Sequence, residues 1–427
     1  MINSDDPQKP RLRVLLSAFA CGPNKGSEHG VGWNVAIRLA SYHDVTVLYG
    51  DVREGQSSHQ AIDAWIAHHG PIPSLTFRYV PPTPRIVLWE RLHRIPGFWF
   101  AYYRAYNLWQ REALQVATSL HRCQAFDLTH MLTYVSFREP GYLWRLNIPF
   151  FWGPIGGTEN VPLAFWPSLA LSENGRAVSR DILNRLHVNL AIRSKRAARK
   201  ARLVWGASRE DLTLIQNKWA AQGAHLLETG TVPHYMVSPV QIDRHGLRMI
   251  WSGLHVARKA LPLLLHAIHQ LGDETDWTLT ILGCGPCTHK WQQLAKNLRL
   301  NDSRIRWLGH LPHEQAVQEL LKADVLVHTS VKEGSTTVLM EALSLGRPVI
   351  CHDIGGMSYV IDSTCGFKVP LLSPKVSIGG FKSSISTLVS TPGMLGQLSR
   401  GASLKAKTLT WDNMVLVISD AYRSKLY

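Results

Sequence analysis

The feature that most constrains this chain is a pair of alternating series, in which short apolar runs of strand length are separated by stretches with helical spacing. The first series opens at residues 12–18 (LRVLLSA), passes a glycine-rich stretch and a helical pattern at Trp33, Ala36, Ile37 and Ala40, and returns to a strand at 45–49. It continues more loosely through 75–80, 128–131, 150–152 and 203–207. A second series runs through 248–252, 277–282, 305–308, 325–328 and 349–351. Strands and helices in alternation predict parallel strands covered on both faces, and two series predict two doubly wound α/β domains. Gly230, Pro233 and Pro239 interrupt the pattern between them. The expected organisation is therefore an N-terminal domain over 1–235, a C-terminal domain over 236–410, and a helix over 411–427 free to return to the first domain.

The chain has 427 residues, 45% of them hydrophobic and 18% charged, enough apolar surface for two cores and unlike a disordered or fibrous chain. No run approaches the roughly 20 apolar residues of a membrane span. Residues 14–21 (VLLSAFAC) resemble a short signal-peptide core, but with Asp5 and Asp6 upstream they read better as a buried first strand. A cytoplasmic chain is expected. Six cysteines are too sparse for a disulfide framework, and Cys284 and Cys287 form a lone C-x-x-C without a second ligand pair, so no metal site is expected.

Lysine and arginine number 46 against 31 acids, a formal charge of +15 spread over both halves. Such an excess suits a nucleic acid, a membrane surface or a phosphorylated small molecule. Two stretches concentrate it, 89–109 (WERLHRIPGFWFAYYRAYNLW) and 180–202 (RDILNRLHVNLAIRSKRAARKAR). Either could be an ordinary solvated helix face. Interleaved tryptophan, tyrosine and arginine favour an anionic membrane surface, on the inner face of the cell membrane, over nucleic acid.

The most informative motif is 333–348 (EGSTTVLMEALSLGRP), which follows the apolar run 323–328. Ser335 or Thr336 suits a helix N-cap, Val338, Leu339, Ala342 and Leu343 supply a buried face, and Gly346 with Pro348 ends the helix. The free amides of Ser335, Thr336 and Thr337 would face a phosphate at the positive end of the helix. Glu341 lies about 7 Å further along the axis, where a carboxylate could grip a ribose diol. Upstream, 251–260 (WSGLHVARKA) places Arg258 and Lys259 after a strand and at the start of an amphipathic helix, where a fork and a point charge can neutralise a diphosphate. A third loop, Gly283 to Pro286 with Gly285 between, follows a strand and could approach a base or ribose closely.

In this order, SGLHVARK, LTILGCGP, WLGHLP, ADVLVH, EGSTTVLMEAL and GRPVICHDIGGM resemble the donor-binding domain of retaining glycosyltransferases of family 4, which have the GT-B fold. The loop CGPNKGSEHGVGW is similar to the glycine-rich loop of the first domain in members with a GSE-type loop, with Gly26, Ser27 and Glu28 at the matching positions. WGPIGG and VSFREP match as well. The resemblance implies two Rossmann-like domains facing across a cleft and a nucleotide-diphosphate sugar as donor substrate, with no cofactor. It implies that Arg258 and Lys259 stabilise the diphosphate, that Glu333 faces the transferred sugar, and that Glu341 binds the ribose. The backbone of Gly334 to Thr337 would contact sugar and phosphate, and Gly26 and Ser27 would approach the donor. His130 in LTHM matches a histidine that binds the sugar or shapes the cleft. Two departures stand out: Ser335, Thr336 and Thr337 are small and polar where many relatives carry a bulky residue, and Thr229 replaces the asparagine of an E-N-G turn.

The resemblance implies a retaining transferase; with no carboxylate pair placed as nucleophile and acid and no D-x-D pair, front-face attack, a leaving-phosphate oxygen taking the acceptor proton, and independence of metal are expected. The expected acceptor is a glycan or lipid-linked oligosaccharide of surface-polysaccharide biosynthesis. An epimerase or phosphorylase of the same fold, or a basic scaffold without catalysis, is the competing reading.

Overall fold

The computed structural model describes the chain apart from residues 1–9, 24–25, 52–56, 96, 99, 174–175, 233–245, 273–274, 335–336 and 427. It divides into two compact units: residues 1–157, 190–228 and 411–427 form the first, and 158–189 with 229–410 form the second.

The first unit is built on a seven-stranded sheet: β1 (Arg13–Ala18), β2 (Asp44–Tyr49), β3 (Leu75–Tyr79), β4 (Leu128–Thr133), β5 (Phe150–Ile155), β6 (Leu203–Gly206) and β7 (Gly223–His225). Their order is β3-β2-β1-β4-β5-β6-β7, and every pairing is parallel. Central strands of such a sheet are covered on both faces, which is why Val14, Leu15 and Leu16 are all fully buried in an unbroken apolar run. Each such side chain contributes about 1.5–3 kcal/mol of burial.

The last helix, Trp411–Leu426, packs into this first unit. Val415, Ile418 and Tyr422 lie on its buried stripe at helical spacing. Arg38 pairs with Asp412 at 3.1 Å, and the His43 ring meets Ser419 Oγ at 2.9 Å.

The second unit carries a six-stranded sheet: β8 (Leu247–Ser252), β9 (Trp277–Leu282), β10 (Ile305–Gly309), β11 (Val325–His328), β12 (Val349–His352) and β13 (Gly366–Val369), in the order β10-β9-β8-β11-β12-β13 and again all parallel. Both sheets are thus doubly wound.

The domain division expected from sequence needs correction. The expected cut after residue 235 lies outside the described residues, and by contacts the chain passes into the second unit already at Thr229. Residues 158–189 also belong to the second unit, because Val161, Phe165 and Leu169 pack into the same core as Met249, Trp251 and Leu261. Burial of three large side chains fixes that allegiance more firmly than position in the sequence. The aromatic, basic stretch 89–109 is two elements rather than one, the helices Pro84–His93 and Phe100–Cys123. The second basic stretch divides between helices Arg176–Leu190 and Ile192–Lys200.

Candidate active site

In the second unit the carboxyl ends of β8 and β11 lie side by side, the position at which open parallel sheets bind ligands. Arg258 and Lys259 sit in a single 3₁₀ turn, Ala257–Lys259, after β8. This corrects the sequence expectation that they open a helix: Ala260 intervenes in the left-handed region at φ +48°, and the helix Leu261–His269 starts only beyond it. The turn is pinned from the opposite loop. The Val331 amide donates to the Arg258 carbonyl at 2.8 Å, and Thr329 Oγ1 donates to the Lys259 carbonyl at 2.7 Å.

That anchoring aims both cations at one atom. Lys259 Nζ is 2.5 Å and Arg258 Nη1 3.0 Å from Oε2 of Glu333, and Ser330 Oγ stands 3.1 Å from the same oxygen. Burial works against the charged form of Glu333 and the Lys259 and Arg258 cations favour it, and the carboxyl is held well below its usual range. Burial lowers the Lys259 ammonium, and Glu333 opposes that shift. The cluster holds two cations against one carboxylate, so an added anion is electrostatically welcome. The Arg258 side chain is 41% exposed and within reach of solvent.

Two histidines complete the surroundings. His352 Nδ1 donates to the Ser330 carbonyl and its Nε2 accepts from Ser377 Oγ, both at 2.9 Å, and burial lowers its pKa to about 4. His328, the last residue of β11, is also buried. Neither of its ring nitrogens has a hydrogen-bond partner among the described residues, and Nε2 stands 3.8 Å from Glu333 Oε2, beyond hydrogen-bond range.

The neighbouring loops explain the glycines of the motifs. A Cβ on Gly355, at φ +53°, would stand 2.0 Å from the Glu333 carbonyl, and the Gly356 amide donates to the Gly334 carbonyl at 2.6 Å. The turn after β12 thereby clamps the Glu333–Gly334 loop. Gly283, at φ +106°, has the Gly253 carbonyl 2.0 Å from where its Cβ would be, and Gly285 has the His255 carbonyl at 2.7 Å. Close packing of the loops after β8 and β9 therefore requires both residues irrespective of any ligand.

Glu341 lies on helix Thr337–Ser344, half-buried, with His313 Nδ1 at 3.6 Å. Burial raises its pKa and His313 works in the opposite direction. Thr337 is the first described residue of that helix and is exposed; Ser335 and Thr336 lie outside the described residues.

Sequence reasoning missed three contributors. His328 closes the ADVLVH piece without being singled out there, and Ser330 follows it with no motif to mark it. The third is Asp181, on the segment 158–189, a buried carboxylate that accepts from the Val161 amide at 3.1 Å and holds Lys332 Nζ at 3.4 Å. Lys332 directly precedes Glu333, so this segment braces the loop carrying the central carboxylate.

The first unit contains the remaining candidates. Gly26 caps helix Ser27–Leu39 at φ −80° with open space around its α-carbon, so its backbone makes no demand for glycine. Glu28 takes the Val135 amide at 3.1 and 3.2 Å, and burial raises its carboxyl to about 7. His130 requires correction. It is fully buried in β4, its Nε2 donates to the Gly153 carbonyl at 2.7 Å, and its Nδ1 accepts from Tyr422 OH at 2.5 Å. With both nitrogens occupied and burial lowering its pKa to about 4, His130 is a core residue with no atom to offer a sugar.

Among the described residues no group of ligating side chains could hold a metal ion, and Cys284 is exposed while Cys287 is buried. No described helix is long and apolar enough to cross a membrane.

Comparison with known proteins agrees with this geometry. Residues 247–390 match the family Glycosyl transferases group 1. The D-inositol 3-phosphate glycosyltransferase of Streptomyces bingchenggensis is 28% identical over 185 residues, 40% of this chain and 39% of that protein, so the chain matches about two fifths of that relative's length. Among solved structures, the sucrose-phosphate synthase of Thermosynechococcus elongatus superposes with a TM-score of 0.64 at 16% identity, covering 97% of this chain and 99% of the other. Anabaena HepE in complex with UDP and glucose gives 0.61 at 14% identity, covering 97% and 100%. At such identities the likeness concerns fold alone. Residues 247–390 thus match the Glycosyl transferases group 1 family, in a chain whose two parallel doubly wound sheets have the GT-B architecture.

Proposed function

We propose that this chain is a retaining glycosyltransferase of family 4 that moves a sugar from a nucleotide-diphosphate sugar to a glycan or lipid-linked acceptor in surface-polysaccharide biosynthesis. The observation that carries the reading is the convergence of Arg258 and Lys259 on a single carboxylate oxygen at the carboxyl ends of β8 and β11. In the donor complex those cations bind the diphosphate and stabilise the charge that grows on it as the glycosidic bond breaks. Glu333 faces the transferred sugar. Glu341, set back along its helix, binds the ribose. The backbone of Gly283, Gly285, Gly334 and Thr337 lies along the donor. Front-face attack, with a phosphate oxygen accepting the proton of the acceptor hydroxyl, gives retention without a second carboxylate. Since cations of the chain occupy the diphosphate position, transfer proceeds in EDTA. Activity abolished by EDTA and restored by magnesium or manganese would contradict that part of the reading.

The acceptor side draws support from helices Pro84–His93 and Phe100–Cys123. The helices and their connection expose Leu88, Ile95, Phe98, Phe100 and Tyr103 in a stretch that also carries Arg85, Arg91 and Arg104, and the one carboxylate of residues 84–111, Glu90, is held by Arg94 at 3.0 Å. Apolar side chains with arginines beside them suit the anionic inner face of a membrane and an acceptor anchored there. Calorimetric titration with UDP and GDP, followed by mass spectrometry of donor hydrolysis over a nucleotide-sugar panel, tests the core of the reading. A folded chain that gives no heat with either nucleotide would sink it and leave the scaffold alternative.

A further inference from the structure

His328 is costly where it stands. An imidazole carries a donor and an acceptor, and a buried ring whose nitrogens make no hydrogen bond has lost its water without a full replacement; here the Glu333 carboxylate stands 3.8 Å away. The rest of the cluster is saturated on one side only. Lys259, Arg258 and Ser330 all engage Oε2 of Glu333, and His328 faces that same oxygen across 3.8 Å without reaching it. In the arrangement described, the two cations that should hold a diphosphate are engaged with a carboxylate of the protein. Two cations against Glu333 leave one positive charge to spare, less than the charge of a diphosphate, so full engagement of the diphosphate draws them off the carboxylate.

We propose that His328 is a positioning residue that takes charge of Glu333 when the donor arrives: Arg258 and Lys259 turn from the carboxylate to the diphosphate, and the His328 ring closes the gap and donates its Nε2 hydrogen to Glu333. The handover keeps Glu333 ionised and aimed at the sugar after its original partners have left. The inference rests on the reading of Arg258 and Lys259 as diphosphate ligands and names a device within that same site.

The charges around the ring set the sign of its pH dependence. Lys259 and Arg258 face it from the turn after β8, Glu333 from the loop after β11, and His352 from the end of β12. Burial and the two cations hold His328 neutral, while Glu333 favours its charged form. Engaging the cations with a diphosphate weakens their repulsion and uncovers the attraction of Glu333. Nucleotide binding therefore draws a proton toward the site, and affinity rises as pH falls.

The experiment is a titration of the full chain with UDP and with GDP at pH 6.5 in two buffers of different ionisation enthalpy. This counts protons taken up on binding, and the comparison with His328→Gln cancels the titration of the nucleotide itself. The wild-type chain should take up more protons than H328Q, and H328Q should keep its donor KM within about threefold while kcat falls about tenfold or more, the scale of one charge-assisted hydrogen bond. Equal uptake in the two proteins, or an unchanged kcat in H328Q, overturns the handover. If H328Q does not fold, Glu333→Gln decides the matter: removing the carboxylate should abolish the extra uptake, and persistence of that uptake refutes the role. If UDP and GDP both leave the wild-type chain silent, the nucleotide-sugar reading fails and the handover falls with it. Nucleotide binding and transfer with no difference between wild type and variant defeats the handover alone.

Discussion

Two histidines occupy comparable places in the two sheets and behave in opposite ways. His130 lies on β4, the neighbour of β1, and His328 lies on β11, the neighbour of β8; both are buried, and burial lowers the pKa of each. His130 uses both ring nitrogens and His328 uses neither among the described residues. In sequence the two are alike, each a histidine in an apolar strand-length run, and the resemblance to family 4 drew attention to the first. Placement along the strand makes the difference. His130 is the third residue of a six-residue strand, where β5, through the Gly153 carbonyl, and the last helix supply partners. His328 ends its strand, where backbone partners run out and the charged loops begin. A buried histidine is therefore read as core or site by its distance from the carboxyl edge of the sheet.

The largest test of this contrast lies beside His328. Arg258→Ala should lower kcat by about 10²–10³-fold, the scale set by removal of one preorganised donor at a developing anion. Near wild-type turnover would strip the cluster of its catalytic role and leave the two histidines equally structural.

pH offers the next test. His43, His130 and His352 are buried with pKa values of about 4, against about 6.5 in an unfolded chain. Between those values the unfolded chain binds protons that the folded one refuses. Their contribution is therefore fully present above about pH 6.5 and is lost as pH falls toward 4, at about 1.4 kcal/mol per pKa unit for each histidine. Urea unfolding at pH 7 and pH 5 should show the decline, and a flat profile would mean that these rings are not held neutral.

His130→Leu sharpens the contrast from the core side. It leaves the Gly153 carbonyl and the Tyr422 hydroxyl without their partner and should cost about 1–3 kcal/mol for each group left unsatisfied. Its stability should also depend less on pH than that of the wild type, while UDP affinity stays the same. A folded H130L chain that no longer binds UDP would return His130 to the site and erase the distinction. Tyr422→Phe is the mildest change, removing one hydrogen bond from the same pair at about 1 kcal/mol, with transfer activity unaffected; a loss of activity at full stability would give the last helix a part in the chemistry.

Much of the fold was legible because parallel strands buried on both faces write themselves as apolar runs. Eleven strands were marked in this way, and two escaped. β7 reads GAH, three half-buried residues at the sheet edge, and β13 reads GFKV, where Gly366 is required because its Cβ would stand 2.0 Å from the Val349 carbonyl. Edge strands have one neighbour and need no continuous apolar run. In the site, Arg258, Lys259 and Glu333 were legible as motif members and their meeting at one oxygen was not. Asp181 stands 151 positions from the lysine it holds, and no local pattern announces such a pair.

The sequence by itself determined two doubly wound α/β layers, a basic chain, and the motif residues of a donor domain, since period, charge and glycine placement are local properties that survive without coordinates. Only the tertiary structure decided that 158–189 joins the second core, that the last helix closes over His130, and that His328 stands beside Glu333 without a hydrogen bond among the described residues. Those outcomes depend on which side chains from distant segments share one volume. Burial and hydrogen-bond satisfaction are properties of that shared volume, and no single stretch of chain contains them.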